Sequence, residues 1–195
     1  MLSEITAYEI VLASGSPRRA ALMNELGLPF KVVETRHTDE VYPEGMQGGE
    51  IARFLADQKS DAYTELLLQM QILLTADTIV WLDGKELGKP RSREEAIAMI
   101  NCLSGRTHQV FTGVCLRSAG KRTSFYVSTD VSFSNLEPEE IEYYVDQFKP
   151  FDKAGAYGIQ EWIGHIAVER IQGSYFNVMG LPVQKIYSEL KNFIR

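Results

Sequence analysis

The residue of greatest chemical interest in this chain lies inside a run of apolar side chains. Residues 72–82, ILLTADTIVWL, are interrupted only by Thr75, Asp77 and Thr78. The run predicts a buried central strand, in which an ionised aspartate is costly unless a cation or hydrogen bonds compensate it. A divalent metal ion bound to Asp77 would provide that compensation. The alternative is a structural aspartate that accepts hydrogen bonds from nearby backbone N–H groups.

A second chemically suggestive segment, residues 14–19 with the sequence SGSPRR, stands between a predicted strand and a predicted helix. Backbone N–H groups at a helix start point outward and carry partial positive charge. Ser14 and Ser16 add hydroxyl donors, and Arg18 and Arg19 add planar guanidinium groups that match phosphate oxygens. Together they predict a cradle for a triphosphate. The alternative is a plain helix N-cap with solvated arginines.

Two single charged groups could complete such a site. Glu40, in the polar loop 35–49, could be the second carboxylate of a magnesium site, because Mg²⁺ takes one or two protein carboxylates together with phosphate and water. Lys89, in a Gly-Lys-Pro turn, could reach a phosphate, although the P-loop pattern GxxxxGK[ST] is absent. Taken alone, each is more typical of a solvated surface group.

The segment 151–160, FDKAGAYGIQ, combines small residues with two groups suited to a nucleotide. Glycine and alanine let the backbone pass close to a ligand. Lys153 could bind phosphate, and Gln160 could hydrogen-bond a base edge through both its donor and its acceptor. The alternative is a turn before a strand. His108 is predicted to be a structural hydrogen-bonding residue, because it precedes an apolar strand, and neither HExxH nor GxSxG occurs in the chain.

The elements that must position these groups alternate between strand and helix patterns, which predicts an α/β or α+β domain with a mixed sheet and flanking helices. The predicted strands cover residues 8–13, 30–34, 72–82, 108–117 and 123–133. The predicted helices cover 18–26, a long stripe from Ile51 to Leu66, and segments that begin after Ser92, at Pro138 and at Pro182. We interpret residues 1–195 as a single domain.

Composition limits the kind of molecule further. Of 195 residues, 45% are hydrophobic and 24% are charged, which suits one well-cored domain rather than a disordered chain. A net charge of −6 argues against nonspecific binding to nucleic acid polymers or anionic lipid. Without a signal-peptide pattern, a membrane-length apolar run or a CxxC pair, we expect a cytoplasmic protein with two reduced thiols.

Taken in order, the segments resemble the Maf-like nucleoside-triphosphate pyrophosphatase family over nearly the whole chain. The matching segments are SGSPRR, the Asp-Glu pair at 39–40, a helix that ends in Lys59, and then ADT, GKP, SGRTHQVFTGV, DKAGAYGIQ and GSYFNVMGLP. Their shared order and spacing carry the resemblance, since each short motif alone has many chance matches.

The resemblance implies a long mixed sheet with a cleft between two lobes, similar to the Maf and ITPase folds, and a homodimer. It also implies hydrolysis of a nucleoside triphosphate to the monophosphate and pyrophosphate, with Mg²⁺ or Mn²⁺ as cofactor. Asp77 would be the general base or a metal ligand, with Glu40 as its partner at the metal. The expected phosphate-binding groups are Ser14, Ser16, Arg18, Arg19, Lys59, Lys89 and Lys153.

The subgroup suggested by Gln160 hydrolyses dTTP and UTP, with Arg18 and Thr78 as further specificity positions. One departure bears on the base, because the family commonly has glycine after this glutamine and the chain has Glu161. Two alternatives stay open at this point. One is a pyrophosphatase for modified nucleotides such as 7-methyl-GTP, and the other is a nucleotide-binding regulator of cell division that does not hydrolyse its ligand.

Overall fold

The structure is a computed structural model that describes residues 2–63 and 69–195. Its strands are β1 (Glu9–Ala13), β2 (Phe30–Val33), β3 (Gln71–Leu82), β4 (Lys85–Leu87), β5 (Thr107–Arg117), β6 (Arg122–Phe133) and β7 (Val168–Gln172). Its α-helices are α1 (Leu2–Ile5), α2 (Pro17–Glu25), α3 (Gly49–Asp61), α4 (Arg93–Leu103), α5 (Pro138–Phe148), α6 (Trp162–Ala167), α7 (Tyr175–Val178) and α8 (Val183–Phe193). A short 3-10 helix covers Ala154–Ala156.

The strands of the described residues form one mixed sheet in the order β2-β1-β3-β5-β6-β7, and β4 pairs with β3 outside this path. Strand β1 runs parallel to both neighbours, with Ile10 opposite Phe30 on one side and Ile72 on the other. Strands β4 and β7 pair antiparallel with β3 and β6. The predicted mixed α/β class with a mixed sheet is therefore confirmed.

The chain divides into two compact units. The first contains Met1–Asp77, Thr112–Val127 and Gly180–Arg195, and the second contains Thr78–Phe111 and Ser128–Met179. The chain passes from one unit to the other within β3, directly after Asp77. The cleft between two lobes and the single domain over 1–195 stay predictions.

In the first unit, helices pack against buried residues of β1 and β3. Helix α2, predicted over 18–26, has Pro17 in its first turn and is followed by Gly27 at a φ of 70°, residues that favour the start and the end of a helix. Helix α3 buries an apolar stripe that includes Ile51 and Leu55, and the Thr75 hydroxyl donates to the Ala56 carbonyl at 2.7 Å. The helix ends at Asp61 with Ala62 as its C-cap, so its predicted continuation through Ala62 is wrong, and the predicted part at Leu66 lies outside the described residues.

In the second unit, a buried cluster joins β3, β5 and β6 to α4 and α5. The predicted cap of α4 is present, because Ser92 Oγ accepts the Glu95 N–H at 3.2 Å. The Glu95 carboxylate accepts a hydrogen bond from the N–H of Arg91 rather than from that of Ser92. Helix α5 begins at Pro138, as predicted, and buries Tyr144 completely.

Two parts of the strand prediction have different outcomes. The strand predicted at 123–133 is confirmed as β6, and its side chains alternate, since Thr129, Val131 and Phe133 are buried while their neighbours are at least partly exposed. Strands β4 and β7 and helices α1, α6 and α7 were not predicted, because segments of three to six residues are too short to show a clear period. Among the described residues, no helix is long and apolar enough to cross a membrane.

Candidate active site

The turn between β1 and α2 forms the first part of the candidate site. Ser14 is buried at the end of the strand, and its hydroxyl oxygen accepts the Ser16 N–H at 3.2 Å. Ser16 has the extended backbone of an N-cap, with no side-chain bond to the helix N–H groups. Its hydroxyl is therefore not used as a cap, which leaves the predicted role in ligand binding available to it.

Arg19 is directed towards the backbone around Asp77. Its Nε donates to the Gly180 carbonyl and its Nη1 to the Ala76 carbonyl, both at 2.8 Å, with a longer contact of 3.4 Å to Ser14 Oγ. Burial lowers the pKa of Arg19, and the negative charge of Asp77 acts in the opposite direction. An arginine remains charged at neutral pH despite such a change, so Arg19 places a fixed positive charge beside Asp77.

Lys59 brings two predicted carboxylates together. The lysine lies in the last turn of α3, and its ammonium donates to Glu40 Oε1 at 3.0 Å and to Asp77 Oδ1 in a shorter contact. The Asp77 side chain is 11% exposed and that of Glu40 is 52% exposed. The buried charge of Asp77 is thus compensated by an ammonium in this structure, and its role as a metal ligand stays a prediction.

The donor set is compatible with a divalent cation. Among residues 2–63 and 69–195, no cluster of three or more histidine, cysteine, aspartate or glutamate side chains could enclose a metal ion. Glu40 and Asp77, however, share one lysine, so their carboxylates are neighbours. Two carboxylate oxygens match Mg²⁺, which uses few protein ligands and completes its shell with phosphate and water.

In the second unit, two lysine-bearing turns lie side by side. The Gly155 N–H donates to the Gly88 carbonyl at 3.0 Å, which joins the turn containing Lys89 to the one containing Lys153. Gly155 has a φ of 67°, and a Cβ there would press against Val80 at 3.0 Å, so the small residue is required. Lys89 is exposed, whereas the Lys153 side chain is only 10% exposed.

Lys153 and Gln160 lie in the segment that was predicted to approach a nucleotide. The Lys153 ammonium contacts Asp152 at 2.8 Å and Glu161 at 3.1 Å. Gln160 is half-buried, and its Oε1 is a buried acceptor without a hydrogen-bond partner among the described residues. A buried amide oxygen with no partner is costly, which makes Gln160 suited to a ligand that supplies a donor.

The structure therefore assembles the predicted residues in two groups. The first unit brings together Ser14, Ser16, Arg19, Glu40, Lys59 and Asp77, and Arg18 lies close enough to lower the pKa of Arg19. The second unit holds the backbone of the Lys89 turn against that of the Lys153 segment, which also contains Gln160. Thr78 is half-buried in the second unit.

Sequence reasoning missed the environment of Lys153. Tyr144 donates a hydrogen bond to Glu161 Oε2, and Glu161 Oε1 contacts the lysine. Tyr144 gave no signal because its spacing is that of an ordinary apolar position on α5. Glu161 could be singled out as a departure from the family pattern, but its partners could not be read from the sequence.

The fold is shared with solved proteins of very different sequence. The Ham1 protein of Staphylococcus aureus superposes with a TM-score of 0.51 at 18% identity, covering 93% of this chain and 99% of that one. A HAM1 protein from Coxiella burnetii gives a TM-score of 0.53 at 14% identity, covering 95% and 99%. These likenesses define a protein of the Ham1 fold class.

Sequence similarity identifies the family within that class. Residues 9–193 match the family model described as Maf-like protein. The dTTP/UTP pyrophosphatase of Bacteroides thetaiotaomicron is 53% identical over 191 residues, which is 98% of this chain and 99% of that protein. The dTTP/UTP pyrophosphatase of Porphyromonas gingivalis strain W83 is 47% identical over 195 residues, at 99% and 98% coverage. The chain belongs to the Maf-like protein family.

Proposed function

We propose that this protein is a nucleoside-triphosphate pyrophosphatase that hydrolyses dTTP and UTP to the monophosphate and pyrophosphate. The full-length similarity to relatives named dTTP/UTP pyrophosphatase supports this activity. The structural observation that carries the proposal is the Lys59 ammonium, which gathers the Asp77 and Glu40 carboxylates beside the guanidinium of Arg19. Acidic and basic groups held together in this way suit water attack on a phosphate chain.

In the proposed reaction, the oxygen of a water molecule attacks the α-phosphorus. The bond from that phosphorus to the α,β-bridging oxygen breaks, and pyrophosphate leaves. Asp77 either takes the proton of the water or orients it, with the carboxylate held in place by Lys59. A divalent cation, Mg²⁺ or Mn²⁺, held by Glu40 and Asp77 would neutralise phosphate charge and lower the pKa of bound water.

The remaining basic and polar groups would bind the substrate. We assign Ser14, Ser16, Arg18, Arg19, Lys89 and Lys153 to the phosphates, where they stabilise the charge that develops as pyrophosphate leaves. Gln160 is assigned to the base, since its unpaired amide oxygen could accept the N3–H that thymine and uracil share. Arg18 and Thr78 are assigned as further specificity positions.

The proposed activity is tested with purified protein and a panel of canonical and modified triphosphates, with and without Mg²⁺, by measuring released pyrophosphate. We expect the highest kcat/KM for dTTP and UTP and no turnover after metal removal. Preference for 7-methyl-GTP would overturn the assignment of thymine and uracil as the recognised nucleobases. Stoichiometric nucleotide binding without pyrophosphate release would overturn the assignment as an enzyme.

The role of Asp77 is tested by Asp77→Asn, which keeps the shape of the side chain and removes its charge. We expect turnover to fall by about 10²- to 10⁴-fold, the usual cost of losing a base or charge stabiliser. The control is Asp83→Asn, whose side chain is 69% exposed and whose φ of 50° asparagine tolerates well. Equal activity of the two variants would remove Asp77 from the mechanism.

We place the reaction in the cytoplasm, because its substrates are intracellular metabolites and because both cysteines, Cys102 and Cys115, are free thiols. The homodimer also stays a prediction of the family resemblance. Sedimentation of the protein with and without substrate analogue would measure its mass in solution and decide between one and two chains.

A further inference from the structure

Lys153 is a nearly buried ammonium whose two carboxylate partners differ strongly in their surroundings. Its ion pair with Asp152 spans 2.8 Å, but the Asp152 side chain is 58% exposed. The Glu161 side chain, at 3.1 Å, is only 20% exposed. Because water screens an exposed charge, an ion pair with an exposed partner contributes little, so Glu161 is the carboxylate that compensates the buried lysine.

Glu161 is also held by a hydrogen bond at the carboxylate oxygen that does not contact Lys153. Its Oε2 accepts a hydrogen bond from the hydroxyl of Tyr144, which is completely buried on α5. The same hydroxyl oxygen accepts the Gly158 N–H at 3.0 Å. Burial, followed by the hydrogen bond to Glu161, raises the pKa of Tyr144, so the phenol keeps the proton that it donates. A continuous chain therefore runs from the backbone at Gly158 through Tyr144 and Glu161 to Lys153.

An ionised carboxylate suits both of its neighbours in this chain. Tyr144 donates a hydrogen bond to one oxygen of the ionised glutamate, and the other oxygen forms the ion pair with Lys153 at 3.1 Å. A glutamine of the same shape is neutral and replaces one acceptor oxygen with an NH₂ group, so it loses the negative charge that pairs with Lys153. An apolar residue at 161 would leave both donors without this partner.

We propose that Glu161 is a positioning residue of the active site, which together with Tyr144 fixes the Lys153 ammonium for the substrate phosphates. An ammonium has three N–H donors, of which one is donated to Asp152, so others can be given to a phosphate oxygen while the ion pair with Glu161 holds the group in place. Glu161 acts through Lys153 rather than on the base, since each of its oxygens already has a partner. The proposal rests on the function proposed above, in which Lys153 binds phosphate.

The test measures two quantities for Glu161→Gln, namely the Kd of a non-hydrolysable α,β-imido analogue of dTTP and the KM and kcat for dTTP. We expect Kd and KM to rise by about 10-fold or more, the effect of losing one charge-assisted contact or misplacing a binding group. Tyr144→Phe should act in the same direction by about 3- to 10-fold. Glu161→Asp, which keeps two acceptor oxygens on a shorter side chain, should lie between Glu161→Gln and the wild type.

The control for the lost charge is Glu142→Gln in the same unit. Its side chain is 57% exposed in an ion pair with Arg93, and Arg93 retains Asp146 as a partner. We expect Kd, KM and kcat of this variant to equal those of the wild type. A partly unfolded preparation of Glu161→Gln would lower kcat without raising KM, which separates positioning from a general loss of structure.

A double-mutant cycle with Lys153→Ala decides whether Glu161 acts through the lysine. We expect Glu161→Gln to have no further effect on Kd in the Lys153→Ala background. Additive effects, or an unchanged Kd in Glu161→Gln and Tyr144→Phe, would overturn the proposal. A wild-type protein that binds the analogue but releases no pyrophosphate would overturn the proposed function alone. The double-mutant cycle would still test the positioning role of Glu161, because it is measured by the Kd of the analogue.

Discussion

At Asp77 a buried carboxylate is balanced by an ammonium from a different element. Strand β3 supplies the acid, and the last turn of α3 supplies Lys59. An unpaired charge in such surroundings is strongly unfavourable, so the pair has to be considered as a unit in both stability and chemistry. The same lysine also reaches Glu40, which ties the exposed acidic loop to the buried site.

We predict that Lys59→Met destabilises the fold, because it keeps the aliphatic stem and leaves Asp77 without its ammonium. The expected loss is about 3 kcal/mol of unfolding free energy, typical of breaking a buried pair. Denaturant unfolding measures it, and Asp77→Asn added to Lys59→Met should restore most of the stability but not the activity.

The matched control is Lys31→Met, which removes a lysine from an ion pair with Glu9 at 2.8 Å. Both side chains of that pair are more than 40% exposed. Its expected cost is about 0 to 1 kcal/mol, the usual value of an exposed pair. Equal losses for Lys31→Met and Lys59→Met would contradict the importance given to the Asp77 pair.

The buried ring of His108 predicts a pH dependence of stability. Burial lowers its pKa to about 4, and Nε2 shares a 2.7 Å hydrogen bond with the Tyr157 hydroxyl. In the unfolded chain His108 takes up a proton near its ordinary pKa of about 6.5, whereas the folded protein does so only near 4. The unfolded state is therefore increasingly favoured as pH falls from about 6.5 to about 4. The unfolding free energy contributed by the neutral His108 ring is fully present above about pH 6.5, and about 3 kcal/mol of it is lost at pH 4.

Unfolding by denaturant at several pH values tests this behaviour. The fall in stability below pH 6.5 should be smaller in His108→Gln, whose amide can still pair with Tyr157. His165→Gln removes an exposed histidine of the same unit and should keep the wild-type slope. An NMR titration of His108 with a pKa near 6.5 would contradict the prediction.

At the scale of elements, the packing of α3 against β5 depends on the absence of a side chain at Gly113. A Cβ at this position would overlap the backbone of Ala52 and Arg53. Backbone cannot rotate away as a side chain can, so an added methyl group must move the helix or the strand. This close approach fixes the distance between the sheet and α3, the helix that carries Lys59.

We therefore predict that Gly113→Ala lowers the unfolding free energy by about 3 kcal/mol, the upper end of the cost of overpacking. The matched control is Gly120→Ala, in the same unit, where a Cβ would meet nothing within 4 Å and no positive φ is required. That variant should be neutral or slightly more stable. Comparison of the two denaturation midpoints measures the difference, and similar midpoints would show that α3 can move without cost.

How far the sequence predicts an element depends on how many residues express its period. The 12 residues of β6 and the 11 of α8 show their alternation and stripe clearly, and both were predicted within about a turn. Strand β4 has three residues and α7 has four, which is one and a half strand periods and about one helical turn, too little for either pattern to repeat. Their positions are decided by pairing and packing, which a local pattern does not contain.

At the scale of the whole molecule, the candidate residues were predictable but most of their partners were not. Asp77 is conspicuous because a charge interrupts an apolar run, and Gln160 because it follows a run of small residues. The contacts of Lys59 with Glu40 and of Glu161 with Lys153 join separate positions through tertiary structure. Such contacts follow from the folded backbone, so sequence reasoning could name the groups without stating how each is held.

The net charge of −6 opposes the approach of a polyanion, so binding of a triphosphate must come from local cations. We predict that a non-hydrolysable dTTP analogue with Mg²⁺ raises the melting temperature. At 100 times its Kd the analogue adds about 2.7 kcal/mol, which corresponds to about 5 to 10 °C for a chain of this size. Thermal unfolding followed by fluorescence or circular dichroism measures the shift.

The same experiment separates recognition of the base from binding of the phosphates. The dGTP analogue at equal concentration should give a smaller shift, because it lacks the pyrimidine N3–H assigned to the unpaired Gln160 oxygen. Gln160→Ala should reduce the shift with the dTTP analogue and leave that with the dGTP analogue nearly unchanged, while EDTA should reduce both. Equal shifts for the two bases in the wild type would mean that the phosphates alone are recognised, and the assignment of Gln160 would have to be abandoned.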